Sequence, residues 1–294
     1  MTITIDFHVH TKASDGTMTP VEVVEYAQKK GLEAIAITDH DTVDGIREAL
    51  ERGREIGLDV LPGLEISAEC PYGTMHLLGY CVDTESSFLK EKLKFLQKVR
   101  LERNLTILKK LSDRGIDLDY DKVVDLADGG QIGRLHFSRI MMMEGYTATS
   151  REAFHTYLKK GAPTYVDKFR FQPEEVIGLI LDCKGIPVLA HPCTLGDLTQ
   201  GVLKNVVERL VALGLQGIEI YYPDHRDDQI ALYKKLADTY GLLITGGSDF
   251  HGENKPGVEI GVYGEDTELS LSLTDTLRDF RGKLHSRIPF QYNF

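Results

Sequence analysis

Nine side chains of this sequence can ligate a cation, and they fall in short motifs. They are His8 and His10 in DFHVH, Asp15 in ASDG, His40 in TDHD, Glu65 in GLEIS, His76 in GTMHLLGY, His191 in VLAHPC, and Asp249 with His251 in GSDFHG. Residues two apart on a strand face the same side, so the imidazoles of His8 and His10 can reach one ion. Each motif also has an ordinary reading. HxH pairs occur by chance on surface strands, and a loop Asp such as Asp15 commonly serves a turn or cap. Asp39, Asp41 and Thr42 around His40 can cap a helix, and His76 can be a satisfied core histidine. Glu65 resists such a reading: it follows apolar residues, and a buried carboxylate needs a partner, most simply a cation. The joint occurrence at successive strand ends favours chemistry. Six histidines and three carboxylates exceed the needs of one ion and suit two or three divalent ions with a bridging carboxylate. Three such ions would leave a net charge of about +3 against the carboxylates, which attracts a dianionic phosphoryl group. They would also lower the pKa of a bridging water, so the reaction implied is hydrolysis by in-line attack of metal-bound hydroxide.

The elements that must position these groups alternate. TITIDFHVH reads as a strand. TPVEVVEYAQKKG reads as a helix with Thr19 at the N-cap, Pro20 at the first helical position and Glu22 closing a capping box, stopped by Gly31. LEAIAITDH is a near-continuous apolar strand of the kind buried in parallel sheets. A helix over residues 42–57, a third strand DVLPGLEISAE and a fourth MHLLGYCVD follow, the last two joined by a CPYG turn. From about Ser86 to Arg114 the sequence reads as one long charged helix, with shorter helical segments up to about Lys160. Alternation resumes with PEEVIGLILDCKG, IPVLAHP, a helix near residues 201–213, GIEIYY, a helix near residues 227–240, and LLITGGSDFH. This order predicts an α/β chain: a (β/α) barrel over residues 1–100 and 170–294, interrupted by a helical cap over residues 101–169. A doubly wound open sheet is the alternative. The barrel is favoured because the chemical residues fall at the carboxyl ends of five strands, which converge on one mouth only in a barrel.

Composition sets the surroundings. The net charge of −11 disfavours tracking along a long nucleic acid, which normally uses a basic face. Cys70, Cys81, Cys183 and Cys193 show no CxxC spacing and read as reduced thiols. No signal peptide is read at the N-terminus, no apolar run reaches membrane-spanning length, and no obligate protein partner is indicated, so a cytoplasmic location is expected.

Together, DFHVHTKASDGTMTP, AITDHDTVDG, GLEIS, AHP and GSDFHG resemble the PHP superfamily of metal-dependent phosphoesterases over nearly the whole chain. The resemblance implies a distorted seven-stranded (β/α) barrel with a trinuclear site, usually of manganese, zinc or iron. Residue by residue it implies one ion on His8, His10, Glu65 and Asp249, a second on Glu65, His76 and His191, and a third on Asp15, His40 and His251. Many PHP proteins have His where this chain has Asp15, and the harder oxygen ligand moves preference toward manganese or magnesium. The inserted helices, IGRLHFSR and YYPDH are similar to the branch that includes the 3′,5′-nucleoside bisphosphate phosphatases, some of which act as 5′–3′ exonucleases on short RNA. That likeness implies that Arg134 and His136, with His225 at the barrel rim, hold the second phosphate of a small, nucleotide-type substrate. An Arg fork and a helix start near Gly133 suit that task, although IGRLHFSR taken alone reads as an ordinary amphipathic helix. His191 is placed near the leaving oxygen. Tyr80, Tyr221 and Tyr222 can stack on a base or pack the barrel, and packing is favoured. Histidinol-phosphate phosphatases and a catalytically silent metal-binding module are the rivals. The cap region lacks the pattern of the first, and the second would have lost ligands.

Overall fold

The computed structural model describes residues 5–264 together with Leu273, Thr276, Leu277 and Asp279. Residues 2–4 of the expected first strand, and most of the stretch expected to complete the barrel after residue 264, lie outside the described residues. Seven strands follow one another in space in sequence order. They are β1 (Ile5–Val9), β2 (Ala34–Ile37), β3 (Asp59–Ala68), β4 (Met75–Tyr80), β5 (Ile186–Leu189), β6 (Gly217–Tyr221) and β7 (Leu243–Gly246). The last approaches the first through a parallel bridge between Val9 and Phe250, so the sheet forms a nearly closed barrel.

Gly247 makes this approach possible. A Cβ there would stand 2.4 Å from the backbone nitrogen and Cβ of His8, closer than real atoms come, so only glycine lets the chain after β7 lie against β1.

The barrel is mixed. β1, β2 and β3 are parallel, as are β5, β6 and β7, but β4 runs antiparallel to both its neighbours. The short connection between β3 and β4 requires this, because a parallel return needs a crossover of a dozen residues or more. Reversal brings the beginning of β4, with His76, to the mouth where the other strands end. Glu65 is a second departure. It does not end its strand, for β3 continues to Ala68, paired with β4 at Ser67–His76 and Ala68–Met75.

Helices α1 (Pro20–Lys29) and α2 (Ile46–Ile56) cover the first strands. Thr19, Glu22 and Pro20 form the capped start of α1 as the sequence predicts. α2 begins later than expected, at Ile46, after a cap at Gly45 that makes no side-chain hydrogen bond. Between β4 and β5 come α3 (Ser87–Ser112), α4 (Tyr120–Ala127), α5 (Arg134–Met143), α6 (Ser150–Ala153) with a π-helical turn over Phe154–Leu158, and α7 (Pro173–Asp182). α8 (Gln200–Ala212) and α9 (Asp227–Tyr240) complete the set among the described residues.

Apolar packing divides the same way. Val9, Ile35, Ile37, Leu64, Ile177 and Ile218 belong to a large cluster between strands and outer helices, while Phe7, Tyr80, Leu78 and Val188 fill the barrel interior. The far half of α3, with α4, α5 and α6, builds its own cluster around Ile107, Leu111, Val123, Phe137 and Leu158. α3 thus touches both regions: Leu89, Leu93 and Leu96 pack on the barrel and Ile107 and Leu111 on the helices. Although α3 is long, no helix among the described residues is long and apolar enough to cross a membrane.

Candidate metal centre

All nine sequence-derived ligand candidates meet at the mouth of the barrel. Glu65 stands at their middle and uses its two oxygens differently. Oε1 lies 2.7 Å from His76 Nδ1 and 3.0 Å from His191 Nε2. Oε2 lies 3.3 Å from His8 Nε2, 3.2 Å from His10 Nε2 and 3.1 Å from His40 Nδ1. Asp249 Oδ1 faces the same two strand-end histidines, 3.5 Å from His8 Nε2 and 3.2 Å from His10 Nε2. Asp15 Oδ1 lies 3.2 Å from His251 Nε2, and its Oδ2 lies 3.9 Å from His40 Nε2.

Donor atoms gather in three overlapping sets, each within 4.8 Å: His8, His10, Glu65 and Asp249; His10, Asp15, His40 and His251; and His40, Glu65 and His76. The first is the grouping expected from sequence. In the second, His10 joins the expected trio. In the third, His40 takes the place expected of His191, whose Nε2 nevertheless stays beside Glu65 Oε1.

The donor set fits divalent cations on an observation independent of spacing. His8 Nε2, both ring nitrogens of His10, His40 Nδ1, His76 Nδ1 and Glu65 Oε2 are buried and make no hydrogen bond. Buried polar atoms are almost always hydrogen-bonded, so these ring nitrogens and a carboxylate oxygen, turned toward one another without such bonds, suit cation ligation, with one lone pair from each neutral ring. Electrostatics differ from ring to ring. Burial would lower His8 and His10, but Glu219, Glu65 and Asp249 outweigh it and raise His8, and Asp249 with Glu65 raises His10 to about 10. Without a cation these two rings favour protons. Burial alone would raise the Glu65 carboxyl, but His40, His76 and His8 outweigh it and hold it well below the ordinary carboxylate range. Burial drives His40 down to about 3, toward the neutral form a ligand requires.

Neighbouring acids hold this arrangement rather than join it. Asp39 accepts from Thr11 N–H at 2.7 Å, Thr11 Oγ1 at 2.7 Å and Ser14 Oγ at 2.5 Å, tying down the loop that carries Asp15. Asp41 meets Arg100 of α3 and lies 3.3 Å from Lys168 Nζ. Neither caps a helix. Both link the β2 end to the surrounding loops and helices, a role that TDHD does not disclose.

Beside the centre opens a cavity of about 470 Å³. Its lining brings Asp15, His40, His76, Asp249 and His251 of the centre together with Arg100, Arg103, Arg134, Arg139, Lys168 and Arg170, and with Lys255, whose Nζ lies 2.7 Å from Asp249 Oδ2. Arg134 and His136 are among its lining residues. Arg134 Nη1 donates to the Leu158 carbonyl at 3.0 Å while its guanidinium lies 5.3 Å from the ring centres of Phe154 and Tyr165. His136 Nδ1 takes the Gly133 N–H at 3.0 Å. His225 is not among the lining residues. It is buried, with Nδ1 bonded to the Ile220 carbonyl at 2.7 Å and its ring against Tyr222 and Tyr233. Tyr80, Tyr221 and Tyr222 are likewise buried, which agrees with packing.

Sequence reasoning missed most of the cationic wall. Arg103 is buried, its Nε makes no hydrogen bond, and burial with Arg134 and Arg100 nearby lowers its guanidinium to about 10. Burial also lowers Lys168 to about 8, against the pull of Asp41. A buried arginine beside other cations favours a bound anion.

Histidines and carboxylates at the mouth of a strand barrel, facing a cationic wall, define a metal-dependent phosphoric ester hydrolase. The chain belongs to the PHP domain family, which it matches over residues 6–158. It is 33% identical to a 3′,5′-nucleoside bisphosphate phosphatase of Chromobacterium violaceum, covering 87% of this chain and 90% of that one. It is 32% identical to a 5′–3′ exoribonuclease of Haemophilus influenzae, with 85% and 91% covered. Among solved structures, a candidate metal-dependent phosphoesterase of Bifidobacterium adolescentis superposes with a TM-score of 0.80 at 29% identity, covering 98% of this chain and 97% of that one.

Proposed function

We propose that this enzyme removes the 3′ phosphate of a 3′,5′-nucleoside bisphosphate and leaves the 5′-nucleotide. The observation that carries this reading is a single cavity whose lining joins the acids and histidines of the centre with a cluster of arginines, in a chain whose net charge is −11. Such a cavity suits a substrate with two separated phosphates. The likeness to the C. violaceum phosphatase supports the same substrate class.

Two or three divalent cations, manganese above zinc, iron or magnesium, would be held by His8, His10, Asp15, His40, Glu65, His76, His191, Asp249 and His251. When bound they polarise the phosphoryl oxygens and acidify water. The chain's own residues do the rest. Arg134, locked by Leu158 and two aromatic rings, and Arg103, buried without a counter-ion, grip the distal phosphate. His136, held by the Gly133 N–H, lines the same cavity. Gripping one phosphate fixes the distance to the other and aligns its ester bond for in-line displacement. His191 Nδ1 lies 3.0 Å from Thr194 Oγ1, which orients the ring beside Glu65 near the leaving oxygen. His225 acts on this site only through Tyr222, against which it packs.

Likeness to the H. influenzae exoribonuclease supports a second reading, stepwise removal of 5′-nucleotides from short RNA. A screen with added manganese that measures phosphate release, and for RNA the release of 5′-nucleotides, distinguishes them. Its substrates are mononucleotides, 3′,5′-bisphosphates, short 5′-phosphorylated oligoribonucleotides and histidinol phosphate. Preferred release from the bisphosphate is the expected result. Preference for histidinol phosphate, or release from none, would refute the proposal. A cytoplasmic site of action goes with a nucleotide substrate.

A further inference from the structure

Glu219 is fully buried in the middle of β6 and belongs to none of the three donor sets. Both its oxygens are committed. Oε1 lies 3.0 Å from His8 Nδ1, and Oε2 accepts the backbone N–H of His191 at 2.7 Å. One carboxylate on β6 therefore reaches a ligand candidate on β1 and another just past β5. His191 needs such help, because its backbone sits at φ 23° and ψ 68°, where residues with a side chain are strained. His8 needs it for another reason. A carboxylate at Nδ1 keeps the ring proton there and leaves the lone pair on Nε2, the nitrogen that faces Glu65 and Asp249.

We infer that Glu219 is a positioning residue which selects the ligating nitrogen of His8 and anchors the strained backbone of His191. The inference rests on the reading of these histidines as cation ligands. Outer carboxylates of this kind orient ligand imidazoles and raise their basicity.

Glu219→Gln separates this role from mere support. The His191 N–H requires an acceptor, so the amide oxygen must face it, and the amide NH2 then points at His8 Nδ1. Donation to Nδ1 moves the ring proton to Nε2 and blocks the ligating atom while the packing stays almost unchanged. Two measurements test this. Nitrogen-15 NMR of the metal-free protein, read at alkaline pH because the carboxylates around His8 outweigh burial and favour its charged ring, with His8 assigned from a His8→Asn variant, should find the Nδ1–H tautomer in wild type and Nε2–H in Glu219→Gln. Calorimetric titration with manganese should show affinity about 10- to 100-fold weaker in Glu219→Gln than in wild type. Glu219→Asp keeps the acceptors but is one carbon too short to span both partners, so it should keep the wild-type tautomer and bind manganese with intermediate affinity. An Nε2–H tautomer in wild type would overturn the inference without any variant having to fold. So would wild-type manganese affinity in Glu219→Gln. If wild type bound no divalent cation at all, the ligand reading would fail, and the tautomer measurement would still decide what Glu219 does to His8.

Discussion

The barrel mouth and the helical wall that faces it are built on opposite principles. At the mouth, histidines and carboxylates compensate one another, and the groups stand on the strands of a nearly closed sheet or in the loops that follow them. Across the cavity, Arg100 and Arg103 stand on α3, Arg134 and Arg139 on α5, and Lys168 and Arg170 on the segment before α7. Among these, only Arg100 and Lys168 share a buried acid, Asp41. The mouth is satisfied by cations and the wall by anions. A substrate that is itself an anion can therefore be held by both, by the wall directly and by the mouth through its ions.

If this division of labour is right, damage to the mouth must abolish chemistry whatever the substrate. Glu65→Gln removes the charge that five histidine nitrogens surround and should lower turnover on every substrate by about a thousand-fold or more, with loss of bound metal. Full metal occupancy with near-normal turnover would break the comparison outright. Damage to the packing beneath the wall should act through stability. Phe137 is fully buried in the helical cluster, so Phe137→Ala should destabilise that region by about 3–5 kcal/mol. Faster proteolysis between residues 101 and 169 than within the barrel would be the sign. Uniform destabilisation would mean that the helices and the barrel unfold as one unit.

Wall residues should separate substrates. Arg134→Ala is expected to raise KM for a bisphosphate about 10- to 100-fold while leaving hydrolysis of a simple aryl phosphate about unchanged. Equal losses on both would return Arg134 to a structural role. The smallest effect is one of pH. Lys168 has its pKa lowered to about 8, so it carries charge below that pH and loses it above. Inhibition by sulfate, which does not titrate in this range, should weaken by a few-fold, about 3 to 10, between pH 7 and 9. Lys168→Arg stays charged and should flatten the dependence. An unchanged slope in that variant would locate the titration elsewhere.

How much of this could be read from the chain depended on spacing. DFHVH, GLEIS and GSDFHG announce themselves because each places its donors within a few residues of an apolar strand, and strand ends meet in a barrel. The wall offers no such signal. Arg100 and Arg103 sit in a helix with lysines all along it, and nothing local marks which of those cations turn inward. Asp39 and Asp41 look alike beside His40, yet one ties the Asp15 loop and the other pairs with α3.

Residue types, strand periodicity and helix caps are local properties, and they were enough to define an α/β chain, its seven strands and nine ligand candidates at one mouth. The reversal of β4, which carries His76 to that mouth, depends on the length of the β3–β4 turn and on pairing with β5. Which nitrogen of each ring faces its neighbours, the seclusion of His225 behind Tyr222, and the bridge from Glu219 to His8 and His191 depend on contacts between residues far apart in sequence. Groups that meet across 28 or 211 positions leave no period to detect, because their partnership exists only once the barrel has formed.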